Sequence, residues 1–157
     1  MSRFPALGPV LAAGAILVAA SAVAAGLSGA DAAKARMDHM KAMGGAAKAL
    51  REQLQAGHAD PAIVKVQTAK ILAGAKDLPT WFPVGSGKSA EPKSHALDVV
   101  WTDAAGFDGK AKALLAAAQK LDAVGQSGDA AGVLPAFKDV GAACKGCHEK
   151  FEEKDKT

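Results

Sequence analysis

The sequence predicts an all-α fold, an antiparallel four-helix bundle. The chain is rich in alanine and lysine, which favour helix, and its aromatic content is only 4%. Apolar residues recur at three- and four-residue spacing in several long segments, which is the period of an amphipathic helix. Most connections between these segments are short, so successive helices are expected to run antiparallel.

Two helices are predicted in the first half of the chain. The first runs from Ala33 to about Ala56 and has apolar residues on one face. The second begins at Asp60 as N-cap, with Pro61 as its first helical residue, and continues to about residue 78. Residues 79–95 contain several prolines and glycines and are predicted to form a loop, whose Trp81 and Phe82 cover one end of the core.

The second half of the chain predicts a short turn or helix over residues 96–101 and two more long helices. Asp103 or Asp108 caps the third long helix, which runs to about residue 124, and residues 125–128 form a turn. Asp129 caps the fourth, which ends near Lys154. Pro135 lies inside this fourth segment and is expected to kink the helix or to delay its start.

Composition and charge limit the functions that the protein could have. The 157 residues correspond to one domain, and the formal charge of +3 comes from acidic and basic residues mixed along the chain. There is no basic block with interleaved aromatics, so nucleic-acid binding has no support. No catalytic acid, base or nucleophile is evident, and the protein is not expected to be an enzyme.

The N-terminal segment resembles a secretory signal peptide. Arg3 gives a short positive region, and an uncharged, largely apolar stretch follows up to Asp31. Cleavage is predicted after residues 30–32, Ala-Asp-Ala, which divides the chain into a signal at 1–32 and a mature domain at 33–157; residues 23–25 are a second candidate. An uncleaved membrane anchor is the alternative, but the stretch is weakly hydrophobic. We therefore expect a periplasmic protein with no stable membrane insertion after cleavage.

The two cysteines of the chain lie in one short motif. Residues 144–148 read Cys-Lys-Gly-Cys-His, the C-x-x-C-H signature for covalent attachment of a c-type haem. Cys144 and Cys147 share a helix face and suit the two vinyl groups of one haem, and His148 is then carried to the iron as axial ligand. A disulfide, a thioredoxin-like dithiol and half of a zinc site are the alternatives. Bacterial c-type haem is attached outside the cytoplasm, in agreement with the signal segment.

Several motifs together resemble the cytochrome c′ and cytochrome c-556 family. Arg36, Met40 and Gly44 are similar to its first-helix motif, and residues 81–86, Trp-Phe-Pro-Val-Gly-Ser, resemble its F-P-x-G-S/T loop. Cytochromes c′ are themselves type examples of four-helix bundles. The chain departs from the family at Pro135 and at residues 152–153, where two glutamates stand in place of a common arginine.

The resemblance implies that the residue four after the first-helix arginine, here Met40, faces the distal side of the haem. Met40 is then the second axial ligand of the iron, which would be low-spin, unless it only fills the core. Met37, Met43 and His39 are fallback ligands. Arg36 is a possible contact of a haem propionate, with an exposed arginine as the alternative.

The leading functional hypothesis is electron transfer by a periplasmic monohaem cytochrome with one covalent haem c and a His148/Met40-ligated iron. Redox partner proteins are expected, and the resemblance implies a possible homodimer through the first two helices. The alternative is a high-spin cytochrome c′ that binds NO or CO at an open distal site. A haem-free thiol–disulfide oxidoreductase is a third hypothesis.

Overall fold

The computed structural model describes residues 27–154. Four long helices account for most of these residues: α1 (Gly29–Gln55), α2 (Pro61–Asp77), α4 (Ala104–Ser127) and α5 (Ala130–Phe151). A 3₁₀ turn (Leu78–Trp81) follows α2, and the short helix α3 (Val99–Thr102) precedes α4. The predicted four-helix bundle is confirmed.

The helices pack in chain order and leave one gap. α1 packs on α2, α2 on α4 and α4 on α5, whereas α1 and α5 make little direct contact. The shared core includes Leu50, Ile71, Leu114, Leu121 and Val140, at least one from each long helix. The gap between α1 and α5 is where the candidate site lies.

Three of the four long helices begin at a predicted side-chain cap. Asp60 accepts a hydrogen bond from the backbone N–H of Ala62 at 2.8 Å. Asp103, rather than Asp108, caps α4 by accepting from the N–H of Gly106 at 3.0 Å. Asp129 caps α5 in the same way. These caps satisfy backbone donors that have no partner within the helix.

The first helix starts earlier than predicted. It begins at Gly29, not Ala33, because Ser28 caps it by accepting from the N–H of Asp31 at 3.2 Å. Ala32 and Ala33 are both buried. Most of the predicted signal segment, residues 1–26, lies outside the described residues, and cleavage stays a prediction. Its first candidate site, after Ala32, falls inside the folded helix.

Two boundaries in the second half also differ from the prediction. α4 continues through Gly125, which was expected to lie in the turn, because this glycine packs closely on Thr68 of α2. The turn comes at Gly128, whose φ of 80° suits glycine. α5 begins at Ala130 in spite of Pro135, so the proline does not delay the helix start. Pro135 has no backbone N–H, so the carbonyl of Ala131 lacks its helical donor. Both residues are exposed.

The end of α5 is fixed by the long loop. The helix stops at Phe151 rather than near Lys154, because Glu152 is extended and forms a bridge with Ala96. The backbone N–H of Leu97 donates to the carbonyl of Phe151 at 3.0 Å. Within residues 27–154, no helix has the length and apolar character needed to cross a membrane.

Candidate functional site

A cavity of about 550 Å³ occupies the gap between α1 and α5. This volume is within the range of about 300–1,000 Å³ that is typical of ligand and cofactor sites. Its inner wall is apolar and includes Ile71 and Leu78 from the α2 side and Phe107 and Leu114 from α4. The cavity is therefore suited to a large, mostly apolar group.

The predicted haem motif lies on the α5 wall of this cavity. Cys144, Cys147 and His148 all line it, on the last two turns of the helix. The two cysteines are three residues apart and lie on the same face of α5. The motif thus presents two thiols and one imidazole to the cavity, which is the arrangement that attachment of a c-type haem requires.

The state of the two thiols bears on the dithiol alternative. Both cysteines are free, and burial raises the pKa of Cys144. Burial is also the main cause that raises the pKa of Cys147; the neighbouring Cys144 raises it further, Lys110 opposes the rise, and Glu152 adds a smaller increase. A thioredoxin-like cysteine needs a lowered pKa to react as thiolate. The local environment therefore does not favour a thiol–disulfide oxidoreductase.

The methionine cluster lies on the opposite wall. Met37, Met40 and Met43 all line the cavity from α1, one turn apart. Met43 also packs against α2, since a β-carbon on Gly74 would lie 2.9 Å from its sulfur. Met40 thus faces the same cavity as His148, as the ligand hypothesis requires, but its role as a ligand stays a prediction.

His39 does not face the site. Its ring stacks on Trp81, with the ring centroids 4.7 Å apart and the planes at 15°. Neither residue lines the cavity. This removes His39 as a fallback ligand. Trp81 itself is partly buried and packs against the core, as predicted.

Arg36 is buried and holds the long loop in place. Its guanidinium donates hydrogen bonds to the carbonyl oxygens of Trp81 and Ser86 and to the hydroxyl groups of Ser86 and Ser94. All four acceptors are neutral, and burial lowers the pKa of Arg36. Arg36 also lines the cavity, so a propionate contact stays a prediction. Its observed contacts rule out the alternative of an exposed arginine.

A chain of rings links Arg36 to the haem motif. The guanidinium lies 4.7 Å from the ring centroid of Phe82, and Phe82 meets Phe107 edge to face at 4.7 Å. Phe107 in turn meets Phe151, three residues after His148, at 5.3 Å. Such pairs add stability beyond the area they bury. As predicted, Phe82 covers one end of the core, and it does so beside the site.

The cavity also has charged residues at its edge that no sequence pattern singled out. Besides Arg36, the cations Lys41, Arg51 and Lys93 line it, against the single carboxylate of Glu152. A haem carries two propionate groups on one edge, so this excess of positive charge fits the group. The residues come from α1 and from the long loop, which only the fold brings together.

His95 and Glu152 border the motif on the other side. His95 is exposed but lines the cavity edge, because the bridge between Ala96 and Glu152 brings its segment next to α5. Nδ1 of His148 lies 3.1 Å from Oε2 of Glu152. His148 also lines a second, more polar pocket on this side. Its ring therefore stands between the apolar cavity and a polar surface.

Comparison with known proteins agrees with this site. The family model described as Cytochrome C′ matches residues 31–152. The cytochrome c′ of Rubrivivax gelatinosus is 49% identical over 92 residues, 58% of this chain and 70% of that protein. The cytochrome c-556 of Agrobacterium fabrum is 37% identical over 95 residues, 60% of this chain and 62% of that protein.

Solved structures of cytochromes c′ are also similar to this chain. The structure of cytochrome c′ from Rubrivivax gelatinosus matches with a TM-score of 0.74 and 31% identity, covering 80% of this chain and 98% of that one. A ferrous variant of cytochrome c′ from Alcaligenes xylosoxidans with bound NO matches with a TM-score of 0.73 and 26% identity, covering 82% of this chain and 98% of that one. Members of this family carry a covalently bound haem c with iron. With the motif, the cavity and the bundle in place, the chain belongs to the cytochrome c′ family.

Proposed function

We propose that this protein is a periplasmic cytochrome c′ with an open distal face that binds small uncharged diatomic molecules such as NO or CO. The haem would be attached through Cys144 and Cys147, with His148 as the proximal ligand. The observation that carries the proposal is the apolar cavity between α1 and α5, with this motif on one wall. The bound haem supplies the iron that takes the diatomic ligand.

The residues of the distal wall support this choice of ligand. Eight α1 residues line the cavity: three are the cations Arg36, Lys41 and Arg51, and the other five form an apolar wall without a side-chain hydrogen-bond donor, namely Met37, Met40, Met43, Gly44 and Ala47. An apolar wall disfavours charged or strongly polar ligands, whereas NO and CO need no such donor. The relatives named cytochrome c′, and the solved relative with bound NO, support the same reading.

The second candidate is electron transfer with Met40 as the distal ligand. The observation that favours it is that Met40 and His148 line the same cavity from opposite helices. The similarity to a cytochrome c-556 also supports it. A Met/His pair would raise the reduction potential and would block the position where a diatomic molecule binds. The two candidates therefore differ in one iron–sulfur bond.

The family resemblance also supports a homodimer. One solved cytochrome c′ with a TM-score of 0.77 and 29% identity is described as having a ligand-controlled dimer dissociation. In this chain, Ile63 and Val66 of α2 are 37% and 50% exposed. We propose that α1 and α2 form the contact, and the molar mass from light scattering should then be twice that of the monomer.

The attachment is tested with a haem assay on exported protein. Wild-type protein made with a c-type haem maturation system should keep its haem through acidified acetone and give a pyridine haemochrome. The variant with both Cys144→Ala and Cys147→Ala should lose all covalent haem. A folded wild-type protein without covalent haem would overturn the proposal.

The distal ligand is tested with Met40→Leu, which keeps a similar volume and usually costs less than about 1.5 kcal/mol in packing. With an open face, the ferric spin state should stay the same, and the CO binding rate should change by less than about tenfold. With Met40 bound, the variant should turn from low-spin to high-spin. Met43→Leu is the control, since Met43 packs on Gly74.

A further inference from the structure

The carboxylate of Glu152 lies against the imidazole of the proposed proximal ligand. Oε2 of Glu152 is 3.1 Å from Nδ1 of His148, four residues earlier in the chain. The same two residues are joined through the backbone, because the N–H of Glu152 donates to the carbonyl of His148 at 3.2 Å. Glu152 is the C-cap residue of α5, and its side chain is thereby directed back over the last helical turn.

The backbone around Glu152 is held from both sides. The N–H of Glu153 donates to the carbonyl of His95 at 2.7 Å, and the N–H of Leu97 donates to the carbonyl of Phe151 at 3.0 Å. Phe151 itself is buried. Glu152 therefore extends from a fixed strand-like segment rather than from a free helix end, and little conformational freedom is lost when its carboxylate meets the ring.

The neighbouring glutamates have different partners. Glu149 lies 3.7 Å from Lys145, and Glu153 forms an ion pair with Lys88. These contacts are the common i,i+4 and surface pairs between opposite charges. Glu152 is instead the carboxylate that lies within hydrogen-bond distance of the histidine.

The chemistry of a bound imidazole determines what this contact does. When Nε2 of a histidine binds a metal, the single ring proton of the neutral form is on Nδ1. A carboxylate that accepts this proton's hydrogen bond fixes the ring orientation and makes the histidine a stronger electron donor to the metal. Because the acceptor is charged, such a bond is roughly twice as strong as a neutral one.

We propose that Glu152 is a positioning residue that accepts a hydrogen bond from Nδ1–H of His148 and so strengthens the bond between His148 and the haem iron. This inference rests on the proposed function, because it needs His148 to be the proximal ligand. A stronger donor favours ferric over ferrous iron. The site should therefore have a lower reduction potential than one without this carboxylate, and a stiffer iron–histidine bond.

The test compares Glu152→Gln with Glu149→Gln in the holoprotein. Both variants remove one negative charge close to His148, but only the first removes the charged acceptor from Nδ1. Two quantities are measured: the reduction potential, and the iron–histidine stretching frequency in the ferrous protein after photolysis of its CO complex. Helical circular dichroism and covalent haem content, which should equal the wild type, show that each variant is folded and loaded.

Glu152→Gln should shift the equilibrium toward ferrous iron about tenfold, which for one electron is about 59 mV. It should also lower the iron–histidine stretching frequency. Glu149→Gln should shift the equilibrium less than threefold and leave the frequency unchanged. Equal shifts in the two variants, or an unchanged frequency in Glu152→Gln, would overturn the inference while leaving the proposed function intact. Absence of covalent haem in the wild type would overturn the proposed function itself.

Discussion

The guanidinium of Arg36 lies 2.8 Å from the hydroxyl oxygen of Ser86, fifty residues later in the chain. This contact joins α1 to the long loop between α2 and α4 next to the cavity. Ser86 is fully buried, and Ser94, another acceptor of Arg36, is 1% exposed. Arg36 therefore organises the loop that covers one end of the site, whether or not it also contacts a propionate.

Replacing Arg36 with methionine should destabilise the loop. The substitution keeps an apolar stem but leaves buried oxygens without donors, each at a cost of about 1–3 kcal/mol. We expect the free energy of unfolding of the holoprotein to fall by at least about 3 kcal/mol, and trypsin to cut faster at Lys88 and Lys93. Arg51→Met, an exposed arginine on the same helix, is the control. Equal stability of the two variants would show that Arg36 does not hold the loop.

Gly125 of α4 should not tolerate a side chain. A β-carbon there would lie 2.7 Å from Oγ1 and 2.8 Å from Cγ2 of Thr68, which is fully buried and donates to Asp122 at 3.0 Å. Because the clash is with both γ atoms of a packed β-branched residue, α2 and α4 must move apart. Gly125→Ala should lower the free energy of unfolding by about 1–3 kcal/mol, as overpacked cores do.

The control for this prediction is Gly109→Ala in the same helix. Nothing lies within 4 Å of a β-carbon at Gly109. There alanine should be neutral or should stabilise the protein by up to about 1 kcal/mol, through its helix propensity. Thermal unfolding of both holoproteins measures the difference. A melting temperature for Gly125→Ala at or above that of Gly109→Ala would contradict the close packing of α2 on α4.

We propose that the signal segment is cleaved before Ser28 rather than after Ala32. Cleavage after Ala32 would remove the N-cap of α1 and would place a charged amino group on Ala33, which is 0% exposed. It would also remove Gly29, which packs so closely on the loop that a β-carbon there would lie 2.3 Å from the carbonyl oxygen of Gly85. Cleavage after Ala25, the second candidate, keeps all of these contacts.

The mass of the intact exported protein locates its first residue. We expect Gly26, and variants that begin at Ala33 should unfold at a lower temperature because a cap is worth about 0.5–2 kcal/mol. A native N-terminus at Ala33 with undiminished stability would show that the first turn of α1 is dispensable.

The sequence predicted the parts of this structure that depend on local pattern. Apolar spacing and the caps Asp60, Asp103 and Asp129 located the helices, and the C-x-x-C-H run located the α5 wall of the site. The role of Arg36 could not be predicted, because its acceptors are 45 to 58 residues away on a loop without periodicity. Gly125 was assigned to a turn from its local sequence. The contact that requires glycine there is with Thr68 on the neighbouring helix α2, which local sequence does not show.

Glu152 is an intermediate case. The sequence marked it as a departure from the family, and its spacing of four from His148 was a signal that the two side chains can meet. What the sequence did not contain was the bridge to Ala96, which ends α5 at Phe151 and holds Glu152 in place. Local spacing therefore indicated the pair, and the tertiary fold determined its geometry.

The absorption spectrum of the purified wild-type holoprotein tests the central claim most directly. The claim is that a haem held by Cys144, Cys147 and His148 has an open distal face toward Met40. The ferric protein should then show a high-spin charge-transfer band, and the ferrous protein should bind CO without first losing a ligand. A ferric spectrum with low-spin α and β bands that is lost in Met40→Leu would contradict the open site and establish Met40 as the sixth ligand.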